Sequence, residues 1–156
     1  MLKVGVIGGG SISQFHITPY ILHNRVELVA LCDQNEQRLT ECGHQYGVTH
    51  MYTNYKDLLA NKDVDAVSIC TWNNTHAEIA IAALEAGKHV LVEKPLCMTV
   101  EEALAVEAAA VKSGKVLLVG FVRRHGNNSN ILKQFIDQDY LGEIYYAKAS
   151  CLRRLG

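Results

Sequence analysis

The sequence lacks the marks of a disulfide-bonded, zinc-binding or membrane protein. Its five cysteines are odd in number, scattered along the chain and without a C-x-x-C pair. This usage predicts reduced thiols in the cytoplasm, with neither disulfides nor a metal ion. No apolar run approaches the ~20 residues of a membrane-spanning helix, and the first residues do not read as a signal peptide. We therefore expect no membrane partner.

An excess of charge of either sign is also lacking. There are 15 Lys and Arg residues against 16 Asp and Glu residues, a net charge of −1. The basic pairs Arg123-Arg124 and Arg153-Arg154 are isolated, so we expect no nucleic-acid partner. With 156 residues, 49% of them hydrophobic, the composition is that of a globular protein. The length allows one domain, or one domain and the start of another.

The chain does have a glycine-rich turn directly after its first apolar strand. The turn reads Gly8-x-Gly10-x-x-Ser13. The first glycine permits a tight turn, the second lets the backbone approach a pyrophosphate, and a small third residue lets helix and strand pack together. The pattern predicts a helix from Ile12 to about Leu22, kinked or ended early at Pro19. Alone it is a weak signal, because such turns also occur with nothing bound.

A second apolar run, Val26 to Cys32, ends in an acidic residue, Asp33, twenty residues after Ser13. In dinucleotide-binding folds an acid at this spacing accepts hydrogen bonds from the adenine-ribose hydroxyls. The alternative interpretation is an N-terminal cap for the helix that begins near Glu36. The N–H groups and dipole at the start of the first helix would meanwhile hold the phosphates.

Short apolar strands and helices alternate along the rest of the chain. Later strand candidates are Ala66 to Cys70, Val90 to Val92 and Val116 to Phe121. Short, fully apolar strands separated by helices indicate a parallel sheet covered on both faces. We therefore predict an α/β protein with a Rossmann-type, doubly wound parallel sheet.

The strand at Val90 to Val92 ends in Glu93-Lys94-Pro95. Charges are depleted from strand interiors, so this pair is expected where the sheet meets a ligand cleft. Pro95 forbids a further ladder hydrogen bond and ends the strand. We expect a cis Lys94–Pro95 bond, because the chain must leave the strand while holding both charges at the cleft. The alternatives are a solvated turn and a plain Glu93–Lys94 ion pair.

Polar groups follow five of the predicted strands at their carboxyl ends, where ligands bind in such sheets. They are Gly8 to Ser11, Asp33, Thr71 to Asn74, Glu93 to Pro95, and Arg123 to His125. Five separate clusters at one edge of a sheet are hard to explain as solvated loops. The sequence therefore predicts a binding site at this edge.

Further motifs are Thr71-x-Asn73-x-x-His76, the run from Ala83 to Pro95, and Gly120-Phe121-x-x-Arg124. Together with the glycine turn and Asp33, they resemble the glucose–fructose oxidoreductase and inositol dehydrogenase family, Gfo/Idh/MocA, over essentially the whole chain. The resemblance implies an N-terminal Rossmann domain joined to a C-terminal α/β domain. It also implies hydride transfer between a nicotinamide cofactor and a sugar, polyol or related hydroxyl compound.

The resemblance also implies roles for individual residues. Glu93 is expected near the nicotinamide ribose, and Lys94 is expected to be catalytic, touching cofactor and substrate hydroxyl. Trp72 stands where the family often has proline, so we expect it to stack on the cofactor or wall the pocket. The complete predicted cofactor-binding set is Gly8, Gly10, Ser11, Ile12, Asp33, Arg38, Thr71, Trp72, Asn73, His76, Glu93, Lys94 and Arg124.

Asp33 also predicts which cofactor is bound. The 2′-phosphate of NADP carries about −1.5 to −2 charges, which the carboxylate would repel. Arg38, one turn into the next helix, would offset part of this repulsion. We therefore expect NAD, with NADP possible.

The length predicts a partial enzyme, because family members usually run to more than twice 156 residues. We expect residues 1–122 to form the NAD(P)-binding domain and residues 123–156 to connect to, and begin, a substrate and dimerisation domain. Ile144 to Leu152 is predicted as the first strand of that domain. The residue usually taken as the general base would lie beyond it, in an enzyme expected to be a homo-oligomer.

Two other classes of protein remain open. A nicotinamide-binding sensor without turnover would keep the cleft but is expected to lose the lysine, and Lys94 is present. A methyltransferase would also use a glycine turn and an acid after the second strand. It has no reason for Glu-Lys-Pro after the fifth strand.

Overall fold

The computed structural model describes residues 1–152, and the chain divides into two compact units. The first unit is Met1–Gly120, and the second begins at Phe121. The strands of the first unit are β1 Leu2–Ile7, β2 Val26–Cys32, β3 His50–Tyr52, β4 Ala66–Ile69, β5 His89–Val92 and β6 Leu117–Val119. Its helices are α1 Gln14–Leu22, α2 Glu36–Tyr46, α3 Tyr55–Ala60, α4 His76–Glu85 and α5 Val100–Ser113.

The six strands form one sheet in the order β3-β2-β1-β4-β5-β6, and every neighbouring pair is parallel. Parallel neighbours need a crossover connection, and the helices between successive strands supply it. The strand order reverses between β1 and β4, so a crevice opens beyond their carboxyl ends. The predicted Rossmann-type sheet is confirmed.

Helices cover both faces of this sheet. Ile7 and Cys32 pack in one apolar cluster with residues of α3, α4 and α5, whereas their neighbours Val6 and Leu31 pack in another with residues of α1 and α2. Successive residues of a strand point to opposite faces, so the two clusters lie on opposite sides of the sheet. The sheet is therefore doubly wound, which explains why its strands are mostly apolar.

Helix α1 differs in two ways from its prediction. It begins at Gln14 rather than Ile12, because residues 11–13 form a turn that follows the glycines. It also continues through Pro19 for three residues, to Leu22. Pro19 and Phe15 lie on the exposed face, so the Phe15 carbonyl, to which proline cannot donate, is open to solvent. The proline therefore does not end the helix.

The second unit contains helix α6, Asn127–Asp137, preceded by a 3-10 turn at Val122–His125. The strand predicted at Ile144 to Leu152 is wrong, since these residues have no regular secondary structure and are exposed. A strand is stabilised by hydrogen bonds to a neighbour. Among the described residues no strand pairs with this segment, so its apolar pattern has no ladder to join. No helix of residues 1–152 is long and apolar enough to span a membrane.

A buried lysine ammonium binds backbone carbonyls at the amino ends of the strands, opposite the predicted site. Lys88, at the start of β5, is 8% exposed, and its Nζ donates to the carbonyl oxygens of Asn61 at 2.8 Å and Val64 at 2.7 Å. Burial lowers the pKa of this lysine. The two hydrogen bonds compensate the desolvation of the ammonium and hold the α3–β4 loop against β5.

We predict that Lys88→Met lowers the free energy of unfolding by about 1–3 kcal/mol, because Met keeps the apolar stem but leaves the Val64 carbonyl without its donor and the Asn61 carbonyl with only the Val64 N–H at 3.3 Å. Lys62→Met is the matched control, since Lys62 lies exposed in the same loop. Urea denaturation of both variants checks this. Equal effects of the two substitutions would contradict it.

Candidate cofactor-binding site

The glycine turn passes very close to the end of β4. The φ angle of Gly8 is +99°, and a Cβ on it would lie 2.6 Å from the carbonyl oxygen of Cys70. Its N–H donates to the carbonyl of Cys32 at 2.7 Å. A side chain at Gly8 is therefore excluded both by the backbone conformation and by space. A Cβ on Gly10 would meet nothing within 4 Å, so this backbone is open to a ligand.

Ser13 performs the packing role expected of the third position. It is 3% exposed, and its Oγ donates to the carbonyl oxygen of Gly10 at 2.7 Å. The hydroxyl closes the turn from inside, where a larger residue would separate α1 from the sheet. The departure from Gly or Ala at this position is therefore accommodated by a hydrogen bond.

Asp33 joins the end of β2 to the glycine turn. Its Oδ2 accepts from the N–H of Gly9 at 2.7 Å, and its Oδ1 accepts from the N–H of Asn35 at 2.8 Å. The cap of α2 is Asn35, whose side chain accepts from the N–H of Arg38. The alternative interpretation of Asp33 as the helix cap is therefore wrong. The carboxylate, 10% exposed, faces a cavity.

Arg38 places a positive charge beside this carboxylate. Its guanidinium lies 3.4 Å from Oδ2 of Asp33, and the side chain is 48% exposed. Carbon atoms of its stem lie 3.4 and 3.5 Å from where a Cβ on Gly9 would stand. The side chain therefore lies along the glycine turn, at the wall of the cavity. Because the guanidinium is about half exposed to solvent, the ion pair contributes little to stability, and the guanidinium stays available to a ligand.

The cavity has a volume of about 690 Å³, within the range of small-molecule sites. It lies at the carboxyl ends of β1, β2 and β4. Eight of the predicted cofactor-binding residues line it together: Gly8, Gly10, Ser11, Ile12, Asp33, Arg38, Thr71 and Trp72. The Trp72 side chain is 83% exposed, which puts this lone tryptophan of the chain at the rim.

One wall of the cavity was not predicted from the sequence. Thr53 to Lys56, at the β3–α3 connection, and Thr75, Glu78 and Ile79 of α4 and its start also line the space. Tyr55 donates to Oε1 of Glu78 at 2.5 Å, and burial, together with this hydrogen bond, raises the pKa of Tyr55 to about 12. The sequence did contain a signal for this wall, because the β3–α3 connection follows the carboxyl end of another parallel strand.

Two thiols at the floor of the cavity are not nucleophiles. Burial, with the nearby Asp33 carboxylate, raises the pKa of Cys32 to about 12. Burial, with the nearby Glu93 carboxylate, raises the pKa of Cys70 to about 12. Both therefore stay protonated at neutral pH and form an apolar surface. Among residues 1–152 no group of three or more His, Cys, Asp or Glu side chains is placed to hold a metal ion.

The Glu-Lys-Pro segment leaves the sheet beside this cavity, one strand further along. Glu93 is 9% exposed, and its Oε1 lies 2.9 Å from Nε2 of His16. The alternative interpretation, a plain ion pair between Glu93 and Lys94, is wrong. Lys94 is exposed, and its ammonium makes no ion pair within the described part of the chain. The predicted cis Lys94–Pro95 bond is confirmed.

His76 is buried rather than cleft-lining. It is 1% exposed, with Nδ1 2.6 Å from the carbonyl oxygen of Pro95 and Nε2 3.2 Å from that of Thr71. The ring thus connects the segments that follow β4 and β5. Asn73 is exposed in a 3-10 turn, Asn73–Thr75, outside the lining of the cavity.

Arg124 belongs to the second unit. It lies exposed in the 3-10 turn, and its N–H donates to the carbonyl of Phe121 at 2.9 Å. Its predicted part in cofactor binding stays a prediction.

The reversal of strand order, the glycine turn open to a ligand and the acid after β2 define a dinucleotide-binding domain. A model of the Gfo/Idh/MocA oxidoreductase family, described as an NAD-binding Rossmann fold, matches residues 2–121. The chain therefore belongs to this family, and its first unit is an NAD-binding domain.

Curated relatives in this family act on sugars and inositols by name. A D-glucoside 3-dehydrogenase of Escherichia coli K12 is 36% identical over 99% of this chain and 44% of its own length. An inositol 2-dehydrogenase/D-chiro-inositol 3-dehydrogenase of Shouchella clausii is 37% identical over 91% of this chain and 42% of its own length. The chain thus spans less than half the length of these relatives.

Solved structures of similar proteins contain the expected cofactor. The WlbA dehydrogenase of Bordetella pertussis, in complex with NADH and UDP-GlcNAcA, superposes with a TM-score of 0.88 at 30% identity, covering 92% of this chain and 44% of that one. The scyllo-inositol dehydrogenase of Lactobacillus casei, with bound NAD(H) and scyllo-inositol, superposes with a TM-score of 0.86 at 26% identity. The match covers 92% of this chain and 43% of that one.

We predict that the chain binds NAD more tightly than NADP and that Asp33→Ala weakens NAD at least tenfold. Each lost hydrogen bond to this charged acceptor is worth roughly 1.5–3 kcal/mol. Calorimetry with both cofactors checks this. Asp63→Ala is the control, because Asp63 is an exposed carboxylate paired with Lys3. Tighter binding of NADP than NAD by the native chain would contradict the prediction.

Proposed function

We propose that this chain is the cofactor-binding half of an NAD-dependent oxidoreductase that oxidises a secondary hydroxyl of a sugar, polyol or related compound. The observation that carries the proposal is the cavity that unites the glycine turn with Asp33, next to the strand that ends in Glu-Lys-Pro. The ring-hydroxyl dehydrogenases among the relatives support the substrate class.

The chain's own residues fit a nicotinamide dinucleotide. The backbone from Gly10 to Ile12 offers N–H groups to the pyrophosphate, next to the start of α1, since the N–H groups of Gly8 and Gly9 already donate within the protein. Asp33 has a carboxylate facing the cavity for the ribose hydroxyls. Trp72 at the rim offers an apolar face. The bound cofactor supplies the hydride acceptor, and the protein supplies its orientation.

Lys94 is the residue we assign to the substrate hydroxyl. Its ammonium follows β5, is exposed, and is not used by an ion pair within residues 1–152. A positive charge beside the hydroxyl stabilises the alkoxide that develops as the hydroxyl loses its proton, and this alkoxide becomes the carbonyl when the hydride leaves the carbon. An ammonium already paired to Glu93 would have been less suited to this role.

The remaining predicted residues receive different parts in the proposal. Glu93 and His76 are buried, so we assign them to hold the Lys94–Pro95 segment rather than to line the pocket. Asn73 and Arg124 are exposed and are proposed to meet the nicotinamide end when the enzyme is complete. Residues 123–156 are proposed to begin the substrate and dimerisation domain, which supplies the general base.

We further propose that the complete enzyme is a cytoplasmic homo-oligomer that binds a small sugar or polyol, and neither nucleic acid nor a membrane. The five free thiols support a reducing compartment. The second half of the relatives' length supports a further domain, in which substrate and subunit contacts are proposed to lie.

The proposal predicts that the 156-residue chain binds NADH but does not turn over, whereas the gene product continued past Gly156 oxidises a polyol or aldose. General acid–base catalysis is worth ~10²–10⁴-fold, and substrate positioning adds to it. NADH binding is measured from the change in fluorescence of Trp72, the one tryptophan in the chain. Turnover is followed by NADH absorbance across a panel of polyols and aldoses.

In the longer protein, Lys94→Met should lower kcat at least a hundredfold while the Kd for NADH stays within about threefold, because the ammonium acts on the substrate. Lys112→Met, which removes an exposed ammonium from α5, is the matched control. Robust turnover by the short chain or by Lys94→Met would contradict the proposal. Cofactor binding without turnover in the longer protein would favour a nicotinamide-responsive sensor instead.

A further inference from the structure

The Glu93 carboxylate is enclosed where the ends of three strands meet. Its backbone N–H donates to the carbonyl of Ile69 at the end of β4, at 3.0 Å. A Cβ on Gly120, just past β6, would stand 3.2 Å from Oε1, so this glycine leaves the room that the carboxylate occupies. A carboxylate that is 9% exposed requires a donor, since burial without one is costly.

The donor comes from a distant part of the chain. Nε2 of His16, in the first turn of α1, lies 2.9 Å from Oε1 of Glu93, and the two side chains are 9% and 11% exposed. An ionised carboxylate only accepts hydrogen bonds, so Nε2 carries the proton that is shared. The helix that begins at the glycine turn is thereby joined directly to the Glu-Lys-Pro segment.

The second carboxylate oxygen continues the connection. Oε2 of Glu93 accepts from the backbone N–H of Lys94 at 3.2 Å. We propose that His16 is a positioning residue for Lys94, acting through Glu93. The His16 imidazole holds the Glu93 carboxylate through Oε1, and the carboxylate holds the backbone N–H of Lys94 through Oε2. This inference rests on the proposed function, in which the Lys94 ammonium meets the substrate.

The first test measures turnover in the gene product continued past Gly156. His16→Leu removes the donor at similar size, and we expect kcat to fall at least tenfold with KM for NAD within about threefold. His16→Gln keeps an N–H donor and is expected to retain kcat within about threefold. A His16→Gln enzyme as slow as His16→Leu would overturn the proposal, because restoring the hydrogen bond should restore positioning.

Tyr20→Phe separates positioning from general destabilisation. Tyr20 lies one turn further along α1, and its hydroxyl lies 2.6 Å from the Oγ of Ser68, in a second partly buried hydrogen bond of the same helix. We expect Tyr20→Phe to lower the melting temperature, as His16→Leu does, with kcat unchanged. Equal losses of kcat in Tyr20→Phe and His16→Leu would show that His16 has only a structural role.

A double variant tests whether the effect passes through Lys94. In a Lys94→Met background, adding His16→Leu should not lower the residual kcat by more than about twofold, because residues that act as one unit are not additive. A further tenfold loss would overturn the proposed route.

The second test does not depend on turnover. In the 156-residue chain, the backbone amide of Lys94 should exchange with deuterium at least tenfold faster in His16→Leu than in the native chain, and at the native rate in Tyr20→Phe. Unchanged exchange in His16→Leu would overturn the proposal even if the longer protein is an active enzyme. Suppose that the Lys94 amide exchanges faster in the His16→Leu chain but the longer protein shows no turnover. This result would support the positioning and contradict only the proposed function.

Discussion

The close passage of Gly8 against the carbonyl of Cys70 is the constraint on which the site depends. It brings the turn after β1 to the end of β4, at the place where the strand order of the sheet reverses. Because the backbone approaches without a side chain, the turn can pass close to β4 while the backbone at Gly10 stays open to a ligand. Asp33 then fixes the same turn from β2 through the N–H of Gly9. The cavity is the space that these two contacts leave.

Buried polar contacts then link this turn to the segments after β4 and β5. The His76 ring lies between the carbonyls of Thr71 and Pro95, and His16 connects α1 to Glu93. No buried side-chain nitrogen or oxygen among residues 1–152 is left without a partner. Satisfied polar contacts of this kind fix one arrangement, because any other would leave a buried group unpaired. Lys94 is left outside this network, with its ammonium in solvent.

The sheet, its helices and eight of the residues that line the cavity were predictable because they depend on local patterns. The glycine spacing, the acid after β2 and the apolar strands all act over a few residues. The His16–Glu93 contact joins residues 77 positions apart, and no local pattern indicates it. His76 follows a polar turn, yet its ring points inward between two carbonyls. The wall at Tyr55 was missed, although it follows the carboxyl end of β3, a parallel strand of three residues.

The strand predicted at Ile144 to Leu152 was wrong for a different reason. Its apolar and aromatic residues do favour a strand, but a strand requires a partner as well as a suitable sequence. Propensity is local, whereas pairing depends on the rest of a sheet. The same limit applies to Arg124, which lies in the second unit, so that no local pattern tests its predicted contact with the cofactor.

The central claim is that residues 1–120 alone form the NAD site. A crystal structure of the 156-residue chain grown with NADH tests it most directly. We expect the pyrophosphate on the backbone of Gly8 to Ile12, the adenosine ribose on Asp33, and Trp72 in contact with the cofactor. Electron density for NADH away from the glycine turn, or its absence from the cavity at saturating NADH, would contradict the claim.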